Sequence, residues 1–124
     1  MVLEHVGIMN VDEEGALRFY MGILGFEKIK ESSVSPELAS QLFSFDREIR
    51  MLVFGNERLK VEIFIVAGFT RPSPSVPHFC IQMPDLPGFL EKAKKAGVRV
   101  ITAERGGRTV YFVEDFSGNR IEVK

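Results

Sequence analysis

The first half of the chain alternates between apolar runs of strand length and one stretch with helical spacing. Apolar residues at positions 16, 19, 20 and 23 recur three or four apart, which predicts a helix that starts near Asp12 and ends at Gly25. Ser35 followed by Pro36 predicts the start of a short second helix. Strands are predicted at 2–9, 26–31, 48–54 and 59–66.

The segment 67–77, AGFTRPSPSVP, predicts a linker, after which the pattern begins again. It contains three prolines, and proline cannot donate to a strand ladder. Beyond it the sequence predicts a strand at 77–83, a helix from Asp85 to Gly97, and strands at 98–102, 109–115 and 120–124. Glycine-rich turns are predicted at 104–108 and 116–119.

The two halves match each other when they are aligned at their first strands. The matched positions are His5 with His78, Asp12 with Asp85, Gly15 with Gly88, and Glu62 with Glu122. Such self-similarity is the signature of a repeated structural unit. The sequence therefore predicts an α+β fold of two tandem βαβββ modules in a single domain over 1–124. Module one spans about 1–66, the linker 67–77, and module two about 78–124.

Composition narrows the class of protein. The chain has 124 residues and a net charge of -1, which argues against a general nucleic-acid binder. A single cysteine, Cys80, excludes an intrachain disulfide and a multi-cysteine zinc site. No signal peptide is evident, and no apolar run reaches the length of about 18 residues that a membrane span needs. We expect a soluble, cytoplasmic protein that does not enter a membrane.

The repeat places the two histidines of the chain in first strands and two glutamates in last strands. If the first and last strands of each module are neighbours, His5, Glu62, His78 and Glu122 can converge in one cleft. Two imidazoles and two carboxylates suit one divalent ion, namely Ni, Co, Zn, Mn or Fe(II). Each residue alone also has a structural explanation, such as a hydrogen-bonded core histidine. Glu62, however, lies in an apolar run that looks buried on both faces, where an unpaired carboxylate is costly.

Four segments together resemble the vicinal oxygen chelate superfamily, which includes glyoxalase I, methylmalonyl-CoA epimerase, extradiol dioxygenases, and fosfomycin- and bleomycin-resistance proteins. They are HVGI, LRFYMGILGF, PHFCIQMPD and the closing YFVEDFSGNRIEV. The closing segment is the most specific, because it is similar to the family's last hairpin with its glutamate ligand. The resemblance implies paired βαβββ modules that form an open, barrel-like cup around the metal, commonly in a homodimer.

The resemblance also implies a reaction. The His, Glu, His, Glu order looks most like glyoxalase I, so the expected chemistry is a lyase or isomerase reaction through a metal-stabilised enediolate of a small oxygenated substrate. Glu122 and Glu62 would then be the catalytic bases. Alternatives are an epimerase, an Fe(II) dioxygenase that uses His5, His78 and Glu122 alone, and a non-catalytic binding protein. Whether one site lies within a chain or is shared between two chains stays open, as does the use of glutathione.

Three arginines are candidates for substrate binding. Arg105 and Arg108 flank paired glycines, and a mobile loop of this kind can hold a carboxylate or a phosphate. Arg50 lies on the strand predicted at 48–54, where Glu48 is a candidate second acid. Cys80 follows His78 by two residues, so both should point to the same side of a strand. The sequence favours Cys80 as a small buried residue.

Overall fold

Two four-stranded sheets account for most of the architecture of the computed structural model, which describes residues 1–124. The chain divides into two units, Met1–Phe69 (unit one) and Thr70–Lys124 (unit two). Each unit contains one of the sheets. No helix combines the length and the apolar character that crossing a membrane requires.

Unit one contains four strands and two α-helices. Its elements are β1 (Val6–Asn10), α1 (Glu13–Ala16), which continues as a π-helix over Leu17–Ile23, β2 (Glu27–Val34), α2 (Pro36–Phe43), β3 (Ile49–Gly55) and β4 (Lys60–Ile65). The strand order in the sheet is β1-β4-β3-β2. The first and last strands are parallel neighbours, as the metal hypothesis requires.

Unit two repeats this plan with one α-helix fewer. Its elements are β5 (His78–Ile81), α3 (Leu86–Lys95), β6 (Arg99–Arg105), β7 (Arg108–Glu114) and β8 (Arg120–Val123). The strand order is β5-β8-β7-β6, and β5 and β8 are parallel neighbours. The identical order in both sheets confirms the predicted α+β fold of two βαβββ modules.

The helix that follows the first strand begins in the same way in both units. The Asp12 carboxylate accepts a hydrogen bond from the Gly15 backbone N–H at 2.6 Å, and Asp85 accepts one from Gly88 at 3.1 Å. These bonds satisfy backbone donors that a helix start leaves without partners. The matched Asp and Gly positions of the repeat therefore have a structural cause.

The first helix differs from the prediction after Ala16, where the backbone widens into a π-helix. Phe19 and Tyr20 are both fully buried, with ring centroids 5.1 Å apart, and Tyr20 stacks on Phe54 at 5.7 Å. Two adjacent rings fill the core here. Apolar residues three or four apart predict a regular α-helix. This spacing alone does not distinguish an α-helix from the wider π-helix that the structure contains.

The expectation that Glu62 lies in a strand buried on both faces is wrong. Val61 and Ile63 are fully buried, whereas the Glu62 side chain is 24% exposed. Side chains alternate along a strand, so Val61 and Ile63 lie on one face of the sheet and Glu62 on the other. Glu62 therefore keeps a partly exposed side chain.

We expect Asp85→Ala to lower the free energy of unfolding by about 1 kcal/mol, because the Gly88 N–H loses its side-chain acceptor. Urea denaturation followed by circular dichroism measures the change. Asp46→Ala is the matched control, since Asp46 is exposed and outside the helices. It should change the stability by less than about 0.5 kcal/mol. Equal losses in the two variants would contradict the capping role.

Candidate metal centre

His5 and Glu62 lie side by side at one edge of the sheet of unit one. The parallel pairing of β1 with β4 places Gly7 opposite Glu62, and His5 precedes Gly7 by two residues. The His5 Nε2 atom is 3.4 Å from Glu62 Oε2. The predicted strand at 2–9 was too long at its start, because the pairing with β4 begins at Val6. His5 therefore lies just before the strand.

His78 and Glu122 repeat this arrangement in unit two. The parallel pairing of β5 with β8 places Cys80 opposite Glu122, and His78 precedes Cys80 by two residues. The His78 Nε2 atom is 3.7 Å from Glu122 Oε2. In both units, the histidine thus stands two residues before the residue that pairs with the glutamate.

A backbone contact determines which nitrogen of His78 faces Glu122. The His78 Nδ1 atom is 2.8 Å from the carbonyl oxygen of Val76. A carbonyl can only accept, so Nδ1 carries the hydrogen and the neutral ring presents the Nε2 lone pair to Glu122. The ring also packs edge-on against Phe112, with centroids 5.1 Å apart. Histidine ligands of metal ions are commonly oriented by such a bond from the second nitrogen.

Each pair consists of one imidazole and one carboxylate, which are donors that divalent transition metals accept. Neither unit by itself brings together three or more His, Cys, Asp or Glu side chains around one metal position. Each unit therefore supplies half of the predicted ligand set.

Cys80 is exposed, so the expectation of a small buried residue is wrong. The expected side is right, because Cys80 pairs with Glu122 across β5 and β8. Desolvation raises the pKa of the Cys80 thiol, and the charge of Glu122 raises this pKa further. The thiol therefore stays protonated at neutral pH.

A buried carboxylate holds the turn that leads into β8 and hence positions Glu122. Asp115 is only 4% exposed, and its Oδ1 atom accepts hydrogen bonds from the backbone N–H groups of Ser117 and Asn119, both at 2.9 Å. The other oxygen accepts from the Asn119 side chain at 2.9 Å. Gly118 adopts a φ of 83° in the same turn. The sequence analysis quoted this segment for its resemblance and did not assign Asp115 this role.

Arg105 and Arg108 face each other across the β6–β7 hairpin, and neither has an acidic partner. Together with Gly106 and Val110, they line a cavity of about 490 Å³. Arg108 also lines a cavity of about 350 Å³ that reaches Glu122. Their role in substrate binding stays a prediction, and the free guanidinium groups are compatible with it.

Arg50, in contrast, is held by acidic side chains of its own unit. It forms ion pairs with Glu31 and, at 3.0 Å, with Glu13. A hydrogen bond from Lys28 holds the pKa of Glu31 below its ordinary value, and the charge of Arg50 lowers this pKa further. Substrate binding by Arg50 would require these contacts to open. Glu48, the candidate second acid, is exposed and precedes β3.

An apolar cleft of about 340 Å³ in unit one was not predicted by the sequence analysis. It is formed by parts of β1, the end of α2 and the loop after it, the start of β3 and the end of β4. Its lining includes Gly7, Met9, Phe43, Phe45, Ile49 and Phe64. No sequence spacing indicates it, because these residues come from four separate segments.

Comparison with known proteins agrees with this architecture. The model of the Glyoxalase/Bleomycin resistance protein/Dioxygenase superfamily matches residues 2–123, so the chain belongs to this superfamily. No curated protein matches the sequence. A glyoxalase family protein from Enterococcus faecalis has 22% identity and a TM-score of 0.74, over 98% of this chain and 94% of that one.

Two further solved structures share the fold and carry functional names. The fosfomycin resistance protein FosX from Mesorhizobium loti is 20% identical, with a TM-score of 0.69 over 98% of this chain and 88% of that one. The trypanothione-dependent glyoxalase I of Leishmania major is 19% identical, with a TM-score of 0.70 over 96% and 82%. At these identities the similarity shows the fold alone.

We expect Asp115→Ala to lower the free energy of unfolding by about 2 kcal/mol, because the buried N–H groups of Ser117 and Asn119 lose their acceptor. Asp115→Asn keeps one acceptor oxygen and should lose less. Denaturant titration of both variants measures the order. An Asp115→Ala variant as stable as the parent would contradict this role.

Proposed function

We propose that the protein is a metal-dependent enzyme that transfers a proton next to a carbonyl group of a small oxygenated substrate. His5, Glu62, His78 and Glu122 are the proposed ligands of one divalent ion. The activity belongs to the glyoxalase-type lyases and isomerases of the superfamily.

The contact between His78 and Glu122 carries this proposal. The Val76 carbonyl accepts from Nδ1, and in the neutral ring Nε2 is then an acceptor that faces Glu122 Oε2, also an acceptor, at 3.7 Å. Two acceptors cannot form a hydrogen bond, and only a positive charge or a proton between them turns the contact into an attraction. A divalent ion supplies that charge. The same pair of residue types, in the same register, supports the proposal in unit one.

The proposed chemistry is the one that family membership suggests for such a donor set. His5, Glu62, His78 and Glu122 would hold a divalent ion, which would supply Lewis acidity that makes a C–H bond beside a substrate carbonyl more acidic. The Glu122 carboxylate accepts that proton and returns it to the neighbouring carbon, which completes an isomerisation. Glu62 is the second candidate base. Arg108, which shares a cavity with Glu122, is suited to orient an anionic group of the substrate.

We expect protein purified without chelator to bind about one divalent ion per proposed set of four ligands. Elemental analysis after loading with Ni, Co, Zn, Mn or anaerobic Fe(II) measures the content. His5→Ala and His78→Ala should each weaken metal binding by at least about tenfold. Glu57→Gln is the control, because Glu57 is exposed in the turn before β4 and is not one of the four proposed ligands.

The behaviour of Glu62 separates two reaction classes. Glu62→Gln should lower metal affinity if all four residues are ligands. Full metal affinity and turnover in this variant would contradict the four-ligand set and would favour a dioxygenase-type set of His5, His78 and Glu122. Absence of metal binding by the parent under every loading condition would overturn the enzyme proposal and favour a binding protein of the same fold.

We expect the metal-loaded protein to exchange substrate C–H hydrogens for deuterium. Proton NMR in D₂O follows this exchange for a panel of 2-oxoaldehydes, their thiol adducts and 2-methyl-3-oxo thioesters. Glu122→Gln should slow the exchange by about a hundredfold or more, because the amide cannot accept the proton. Exchange at the parental rate in this variant would exclude Glu122 as the base.

A further inference from the structure

One arginine side chain binds the segment of chain that comes just before His78. The Arg71 Nη2 atom donates a hydrogen bond to the carbonyl oxygen of Ser75 at 2.8 Å and a longer one to that of Pro77 at 3.5 Å. This nitrogen carries two hydrogens, so it can serve both acceptors. The carbonyl between them belongs to Val76, and it accepts from His78 Nδ1 at 2.8 Å. Arg71 and a proposed metal ligand thus bind three successive carbonyl groups.

Little else holds this segment in place. Residues 70–77 take part in no backbone–backbone hydrogen bond of a turn or loop. Three of them are prolines, which lack the N–H group that such a bond needs. Val76 is 81% exposed, so side-chain packing does not fix this residue either. The position of the Val76 carbonyl therefore depends on the contacts that Arg71 makes on either side of it.

The charge and the surroundings of Arg71 suit it to this role. Arg71 takes part in none of the ion pairs of the chain, so no carboxylate competes for its guanidinium group. Hydrogen bonds from a charged donor are stronger than those between neutral groups. The Arg71 Cβ atom is 3.9 Å from the place that a Cβ atom on Gly118 would take. Gly118 belongs to the turn before β8, so Arg71 lies beside the turn that leads to Glu122 and binds the segment that leads to His78.

We propose that Arg71 is a positioning residue that fixes the tautomer and the orientation of His78 through the Val76 carbonyl. With this carbonyl held in place, the neutral ring keeps its hydrogen on Nδ1 and its Nε2 lone pair faces Glu122. The link to metal binding rests on the proposed function, whereas the effect on the ring exists in the metal-free protein. The polar contact of the His5 ring is with Glu62, so His5 should not respond to Arg71.

NMR of the histidine tautomers in the metal-free protein tests the proposal. The chain has only two histidines, so long-range proton–nitrogen correlation spectra should contain two sets of ring signals. At about pH 8.5 an ordinary histidine ring is neutral, and the spectra report which nitrogen carries the hydrogen. Arg71→Ala should lower the ratio of the Nδ1–H form to the Nε2–H form of His78 by about fivefold or more. The ratio for His5 should stay at its parental value.

Three further variants complete the test. Arg58→Ala is the matched control, because Arg58 is an exposed arginine in the turn before β4, and it should leave both ratios unchanged. Arg71→Lys keeps a cation that can donate to the same carbonyls and should recover part of the parental ratio. Arg71→Gln keeps a neutral N–H donor. If Arg71→Ala fails to fold, Arg71→Gln should lower the ratio in the same direction.

A second measurement connects the ring to metal binding. Arg71→Ala should weaken the binding of a divalent ion by about tenfold although all four proposed ligands remain, which is the low end of the loss that follows when a ligand loses its hydrogen-bond partner. Arg58→Ala should bind the ion like the parent. A changed His78 tautomer ratio in a protein that binds no metal under any condition would support the role of Arg71 and contradict the proposed function.

Two results would overturn the proposal. One is an unchanged His78 tautomer ratio in Arg71→Ala, whatever happens to metal binding. The other is an equal change in the ratios of His78 and His5, which would show a general loss of structure and not the release of one carbonyl group.

Discussion

The parallel pairing of the first strand with the last strand in each unit is the constraint on which the rest of the site depends. Parallel strands need a long connection, and here the helix and the two intervening strands supply it. Because β1 pairs with β4 and β5 with β8, residues about 40 to 60 positions apart in the chain become neighbours. Each histidine thereby meets a glutamate at the same register. A shift of one residue would turn the glutamate to the opposite face.

Local interactions then secure the ends of the paired strands. The carboxylates of Asp12 and Asp85 cap the N-termini of the helices that follow β1 and β5. Asp115 accepts hydrogen bonds within the turn that precedes β8. The hydrogen-bond partners of these aspartates lie in their own turns or helix starts, at Gly15, Gly88, Ser117 and Asn119. Their contribution is positional, since each satisfies backbone donors that would otherwise lack partners. The aspartates of the repeat therefore stabilise helix starts, whereas its glutamates are proposed metal ligands, although both residue types recur at matching positions.

The two faces of the sheet in unit one serve different purposes. One face carries the fully buried Val61 and Ile63, while the other carries the partly exposed Glu62 and also Phe64, which packs against a core cluster that includes Ile49. A carboxylate on a partly open face can bind a cation without the full cost of burying a charge.

The sequence by itself determined the repeat, the element types and the identity of the paired residues. Periodicity, caps and matched positions are local properties, and His5, Glu62, His78 and Glu122 stand out because their chemical types recur at equivalent places. It misjudged Glu62 and Cys80, whose exposure depends on which sheet face other segments cover. The π-helix after Ala16, the ion pairs of Arg50 and the cleft around Gly7 were decided only by tertiary structure. Each of them arises from contacts between segments distant in the chain, and no local spacing encodes such contacts.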